Sequence, residues 1–232
     1  MIKLVQDILY KMGLIVKLVR PENNLWLQTR NIKNVLDIGA NTGQFASRIN
    51  EILPNVNIVS FEPIKKCYDE LLIHTKGLKI KAFNFALGEV EEEQEINISA
   101  HSPSSSLLPM ADLHKEVFAG TNFVEKEKIS IKRLDAIFPE LNIEGKFMVK
   151  IDVQGFEDRV IKGGLETLKK ADFILIETSF EELYKDQLLF DGIYQLLIGI
   201  GFIFKGNLTQ AINKKDGRIL YAESLFFNAN LN

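Results

Sequence analysis

The feature that most constrains this chain is an alternation that begins at Asn34, where short β-branched runs take turns with stretches whose apolar residues recur at helical spacing. Strands separated by helix-length segments pair in parallel, and a parallel sheet has to be covered by helices on its faces. The runs "NVLDI", "NIVSFE", "LKIKAFNFAL", "FMVKIDV", "FILIET", "FIFKG" and "ESLFFN" read as strands. Helices are predicted from about Gln44 to Ile52, where Pro54 ends the first, then from Lys65 to Thr75, Glu157 to Lys170 and Leu188 to Ile198. The acidic turn "GEVEEEQ" and the alternating run "EINIS" predict an antiparallel excursion at the sheet edge. "SAHSPSSSLLPM" has the Ser and Pro content of a loop, and "ADLHKEVFAGTNFVEKE" has weak periodicity of either kind.

Composition narrows the class. The chain has 232 residues, 46% hydrophobic and 25% charged, which are ordinary globular values, and the absence of a linker favours one large domain. The expected organisation is an N-terminal helical segment, residues 1–30, packed on a domain of residues 31–232. In "MIKLVQDILYKMGLIVKLVR", Met1, Val5, Ile8, Met12, Ile15 and Val19 recur at helical spacing. That pattern predicts an amphipathic helix, with a membrane-surface helix as the alternative because its polar positions are basic. Charges interrupt this stretch too often for a signal peptide. The longest uncharged apolar stretch, "GIYQLLIGIGFIF", is short of the ~20 residues that span a bilayer, so no transmembrane segment is expected. A formal charge of -3 points to neither nucleic acid nor anionic lipid as a partner. Cys67 is the only cysteine, which excludes an internal disulfide and suits a reducing compartment, so a cytoplasmic location is expected. The three histidines are too scattered to form a recognisable zinc site.

The candidate site follows from where the acids fall. In an open parallel sheet, ligands bind beyond the carboxyl ends of the strands. Asp37 sits at such an end, where an unpaired carboxylate is costly, and Gly39 and Gly43 let the chain turn and approach a ligand closely. From Gly39 onward a dinucleotide fingerprint would require two more glycines, at the places held by Asn41 and Gln44, so pyrophosphate is disfavoured. An acid ahead of the glycine suits a cationic amino-acid end such as that of S-adenosylmethionine. Glu62 closes the second strand 25 residues after Asp37, near the spacing at which an acid meets ribose hydroxyls. Asn84 ends the third strand, as an adenine contact or as a turn-former. Asp152 ends the fourth strand, where it serves either the chemistry or the capping of the helix that Gly155 and Glu157 begin. Glu177 ends the next strand, so two carboxylates from adjacent strands would face one cleft. His101, Ser104, Ser105 and Ser106 lie in a loop that would close over it, with His101 either a base or a solvated loop histidine.

"VLDIGANTGQF" with "VSFEP" resembles the donor-binding half of Rossmann-like class I methyltransferases, and "FNFALG", "SSSL", "IKRLDAIF" and "VKIDVQGFEDRVIKGG" resemble the FkbM family of methyltransferases. The resemblance covers nearly everything from Asn34 onward. It implies a doubly wound, mostly parallel seven-stranded sheet with an extra β-hairpin. It also implies S-adenosylmethionine as methyl donor and O-methylation of a hydroxyl on a saccharide, glycan or natural product. Carried onto this sequence, it makes Asp37, Gly39, Asn41 and Gly43 donor-loop positions and Glu62 the ribose ligand. Asp152 with Gln154 and Glu157 becomes the active-site motif, with Ser106, Gln154 and Glu157 on the acceptor side. Members carry Gln or Glu at the position of Gln154. A nicotinamide oxidoreductase using the same sheet and Glu62, and a nucleotide-binding module without turnover, are the rival readings. Nucleic-acid methylation ranks low for want of a basic stripe. Acceptor identity, metal dependence and oligomeric state are left open.

Overall fold

A computed structural model describes residues 25–231. Its strands, in chain order, are β1 (Asn34–Ile38), β2 (Asn57–Phe61), β3 (Ile80–Phe83), β4 (Ala86–Leu87), β5 (Glu92–Ser99), β6 (Phe123–Lys132), β7 (Phe147–Ile151), β8 (Phe173–Ser179), β9 (Phe202–Ile212) and β10 (Ile219–Asn228). The longer helices are α1 (Gln44–Ile52), α2 (Lys65–His74), α3 (Asp112–Val117), α4 (Glu157–Gly163) and α5 (Phe190–Gly199). The chain divides into two compact units, Met1–Asn31 and Ile32–Asn232. Of the first, only residues 25–31 are described, with a helical turn at Leu25–Gln28. The N-terminal amphipathic helix lies outside the described residues.

Seven strands form one sheet in the order β3-β2-β1-β7-β8-β10-β9. β3, β2, β1, β7 and β8 run parallel, and β10 pairs antiparallel with both β8 and β9. The chain winds outward from β1 to β3 and then returns to the other side of β1. The strand order therefore reverses between β1 and β7, the place where open α/β sheets bind ligands. Every residue of β1 and of β7 is buried, as expected for central strands covered on both faces. Leu36, Val149, Ile151, Ile174 and Ile176 pack against Val160 and Ile161 of α4 and Ile193 and Leu197 of α5.

Three expectations are corrected. The antiparallel excursion does not extend the edge of the large sheet, because β4, β6 and β5 form a sheet of their own, with β5 antiparallel to β6. Its core joins Ile96, Ile129 and Ile131 to Ile64 and Phe156, which fastens this sheet over the carboxyl ends of the large one. The run "LKIKAFNFAL" is divided between the two sheets, breaking at Asn84 and Phe85, where Phe85 turns to pack on Phe61 and Phe83. The helix from Glu157 stops at Gly163, and a separate turn occupies Leu165–Leu168. A Cβ on Gly163 would lie 1.8 Å from the carbonyl oxygen of Gly88, so backbone contact takes precedence over helix continuity.

Candidate active site

The site is assembled where β1, β2 and β7 end side by side. The Asp152 N–H donates to the Ile38 carbonyl at 3.0 Å, and the N–H groups of Gly39 and Ala40 both donate to the Phe61 carbonyl, at 3.1 and 3.0 Å. The loop after β1 is thereby clamped between its neighbours. Gly39 adopts φ +81°, and a Cβ there would lie 1.8 Å from the Asp152 carbonyl oxygen. At Asn41 the chain is again left-handed, and its N–H reaches Glu62 Oε2 at 2.8 Å, while the Ile64 N–H donates to Glu62 Oε1 at 2.9 Å. Burial pushes the Glu62 carboxyl up to about 7 in spite of these donors. Gly39, Asn41 and Glu62 line a cavity of about 770 Å³, within the size range of small-molecule sites.

Asp37 lies behind this wall, fully buried in β1. Its parallel partners in register are Ser60 and Lys150. The Ser60 hydroxyl approaches Asp37 Oδ2 at 3.4 Å, and Lys150 Nζ lies 3.8 Å from Oδ1 and 3.2 Å from Asp152 Oδ2. Burial raises the Asp37 carboxyl to about 6, with Lys150 opposing the shift. Burial also pulls the Lys150 ammonium down, but the carboxylates of Asp152 and Asp37 outweigh it and hold the group above the ordinary lysine range. Lys150 was not singled out in the sequence, although a lone lysine in "FMVKIDV" was the available signal.

Across the cavity, Gln154 (φ +55°) turns its amide onto both acids: Nε2 donates to Asp152 Oδ1 at 2.7 Å and to Glu177 Oε1 at 3.0 Å. Its Oε1 accepts from the Tyr184 hydroxyl at 2.8 Å. Burial raises the Glu177 carboxyl well above its usual range, and the nearby charges of Asp152 and Glu157 add to the effect. Asp152, Gln154 and Glu177 all line the cavity. His101 lines it too, as an exposed residue at the start of the loop, beside Ser104 and Ser105.

The other residues expected at the ligand stand off the cavity lining, against the protein's own chain. Gly43 precedes α1 at φ +88°, facing Leu71 of α2 and Thr75 just after that helix instead of the cavity. Asn84 donates through Nδ2 to the carbonyls of Glu62 and Pro63, at 3.0 and 2.8 Å, and holds the β2 and β3 ends together. The Ser106 hydroxyl donates to the Gln154 carbonyl at 2.6 Å, which supports the left-handed turn. Glu157 Oε1 accepts the N–H groups of Val153 and Gly155, at 3.0 and 3.3 Å, shaping the loop before α4. Two residues without motif context join the wall instead. His114, on α3, contacts the Tyr184 hydroxyl through Nε2 at 3.3 Å and is held neutral, since burial lowers its pKa to about 4. Tyr221 of β10 enters the lining beside Phe118.

An open α/β sheet with this strand order, with acids just beyond β2 and β7 and one near the end of β8 on a single cavity, has the architecture of a Rossmann-like methyltransferase. The chain belongs to the FkbM methyltransferase family: the model described as "Methyltransferase FkbM domain" matches residues 37–204. The 2-O-methyltransferase NoeI of Sinorhizobium fredii is 30% identical over 170 residues, covering 70% of this chain and 70% of that protein. Methyltransferase sdnD of Sordaria araneosa is 26% identical over 156 residues, covering 56% of this chain and 59% of that protein. The methyltransferase domain of bacterial CtHen1 is similar at a TM-score of 0.47 and 10% identity, covering 90% of this chain and 99% of that one, a likeness too remote to bear on function. Family membership makes the chain a methyltransferase and sets aside the nicotinamide oxidoreductase. No helix among the described residues is long and apolar enough to cross a membrane. Nor do the described residues contain a group of three or more His, Cys, Asp or Glu placed to hold a metal ion.

The residues present fit S-adenosylmethionine, whose use the family implies. Asp37 Oδ1 is buried without a hydrogen-bond partner, a deficit that a cationic amino-acid end in the cavity would reduce electrostatically. Glu62 retains lone pairs after accepting its two N–H groups, and Ile64, Ile96 and Leu107 supply an apolar wall beside it.

Proposed function

We propose that this chain transfers a methyl group from S-adenosylmethionine to a hydroxyl oxygen of a saccharide or a related polyhydroxylated small molecule. The observation that carries the reading is that the Asp152–Gln154–Glu177 bridge and Glu62 face the same cavity from different strand ends. The likeness to a 2-O-methyltransferase supports oxygen as the acceptor atom. Bound, the donor supplies an electrophilic methyl group carried on a sulfonium. Glu62 would hold the ribose diol, and Asp37, behind the wall and backed by Lys150, would act on the amino-acid end through its field.

On the other side, Asp152 and Glu177 accept hydrogen bonds from the acceptor, and the Gln154 amide keeps the two carboxylates at a set separation. A hydroxyl loses its proton as it is methylated, and this pair receives it, since a carboxyl with a raised pKa holds a proton better near neutral pH. Positioning supplies the larger part of the rate, with effective molarities worth up to roughly 7–11 kcal/mol. His101 lines the cavity from the loop side, where it would serve as a second proton acceptor.

Calorimetry with S-adenosylhomocysteine, followed by transfer of labelled methyl to a glycoside panel, tests this reading. Glu62→Gln should bind S-adenosylhomocysteine about 10- to 100-fold more weakly, as expected for one charge-assisted bond. Unchanged binding in that variant, or label appearing on amine acceptors alone, overturns it.

A further inference from the structure

We infer that the acceptor carries no phosphate or carboxylate near the methylated hydroxyl: this chain methylates a neutral glycoside and rejects sugar phosphates, uronates and nucleotide-activated sugars. The inference rests on the O-methyltransferase reading above and narrows it.

The argument starts from the charges that line the cavity. Among the described residues, the lining contains Glu62, Asp152 and Glu177 and neither Lys nor Arg. The Lys150 ammonium behind the wall is buried and already shared between Asp152 and Asp37. Of the two lining histidines, His114 is held neutral by burial, and His101 is exposed on the loop side. An anionic group entering beside the acid pair would be stripped of water with no lysine or arginine to pair with and would face carboxylates, a combination that low-dielectric surroundings penalise heavily.

The backbone offers an anion no more than the side chains do. In α/β sheets the N–H groups beyond the strand ends ordinarily take up phosphates. Here the protein's own acids occupy them. Glu62 accepts the N–H groups of Asn41 and Ile64, and Glu157 accepts those of Val153 and Gly155. Beside the acid pair the side-chain donors are engaged as well, since the Gln154 amide serves the two carboxylates and the Tyr184 hydroxyl serves Gln154. Around the acid pair the wall therefore presents an acceptor chiefly with oxygen lone pairs, which match hydroxyl donors. Phe118 and Tyr221, with ring centroids 6.3 Å apart, add the aromatic surface on which the C–H face of a sugar packs.

A place in a reaction sequence follows. A nucleotide-activated sugar loses its diphosphate at glycosyl transfer, so a glycosyl transfer is the class of reaction that supplies this substrate, and methylation comes after it.

The test uses the full chain, labelled S-adenosylmethionine and matched acceptors built on the same hexoses and pentoses: the methyl glycoside, the uronate, the sugar 1-phosphate and the nucleoside diphosphate ester. Label should enter the methyl glycoside with kcat/KM at least tenfold above each anionic counterpart. Equal or better use of any anionic member overturns the inference. So does a failure to label any member while calorimetry registers S-adenosylhomocysteine. Absence of S-adenosylhomocysteine binding fails the underlying reading, and this inference with it.

Discussion

Gly39 and Asp152 meet backbone to backbone: the carbonyl oxygen of Asp152 occupies the space in which residue 39 would carry a side chain, 1.8 Å from an ideal Cβ. The loop after β1 and the acid pair are thus parts of one construction, held at the point where the strand order reverses.

The first prediction follows from that contact. Gly39→Ala has to relieve both the overlap and a left-handed φ, which together cost about 2–4 kcal/mol. For a chain of this size the melting temperature should fall by roughly 4–15 °C. Affinity for S-adenosylhomocysteine should fall with it, because the shift moves both walls of the cavity. Scanning calorimetry with and without the ligand checks both outcomes.

Lys150 supports a second. Its removal in Lys150→Met leaves Asp37 buried beside Asp152 without a cation, and breaking a buried pair costs about 3–5 kcal/mol. The double variant Asp37→Asn/Lys150→Met should recover much of this loss, since the uncompensated charge is then gone. A double-mutant cycle by urea denaturation measures the coupling. Simple addition of the two single effects would contradict the pairing.

The pH dependence of stability has a defined sign. Burial raises Asp37 from 3.8 to about 6 and both Glu62 and Glu157 from 4.5 to about 7. Between these values the folded chain binds more protons than the unfolded one. The stabilisation from these groups is therefore complete below pH 4, and it declines as pH rises through 6 and 7. In Glu157→Gln the decline between pH 5 and 8 should be shallower, as thermal unfolding across that range would register.

Tyr184 orients the Gln154 amide, because a hydroxyl donor at Oε1 leaves Nε2 to face both carboxylates. Tyr184→Phe removes that donor at about 1 kcal/mol, so kcat should drop roughly fivefold. Donor affinity should stay within twofold, since Glu62 is untouched. A matching loss of donor binding would make Tyr184 a packing residue instead.

Much of the site was legible because it depends on local pattern. Asp37, Gly39, Asn41 and Glu62 announce themselves by falling where apolar runs end, and Asp152, Gln154 and Glu177 fall at the ends of two more such runs. The same cue misread Gly43, Asn84, Ser106 and Glu157. Each lies near a strand end or loop of the site, yet its side chain or open position is used to hold backbone together. Proximity along the chain does not say which way a turn faces.

The sequence by itself determined the alternation of strands and helices, and with it a parallel sheet whose carboxyl ends carry the acids, because the side-chain periods of 2 and 3.6 are local properties of the backbone. Only the tertiary structure decided the company those acids keep. Lys150 reaches Asp37 through strand register, and Tyr184 reaches Gln154 and His114 across 30 and 70 residues of chain. The separate three-stranded sheet over the cavity likewise depends on a partner strand far along the chain. Contacts of this kind follow from how the whole core packs, which no window of neighbouring residues encodes.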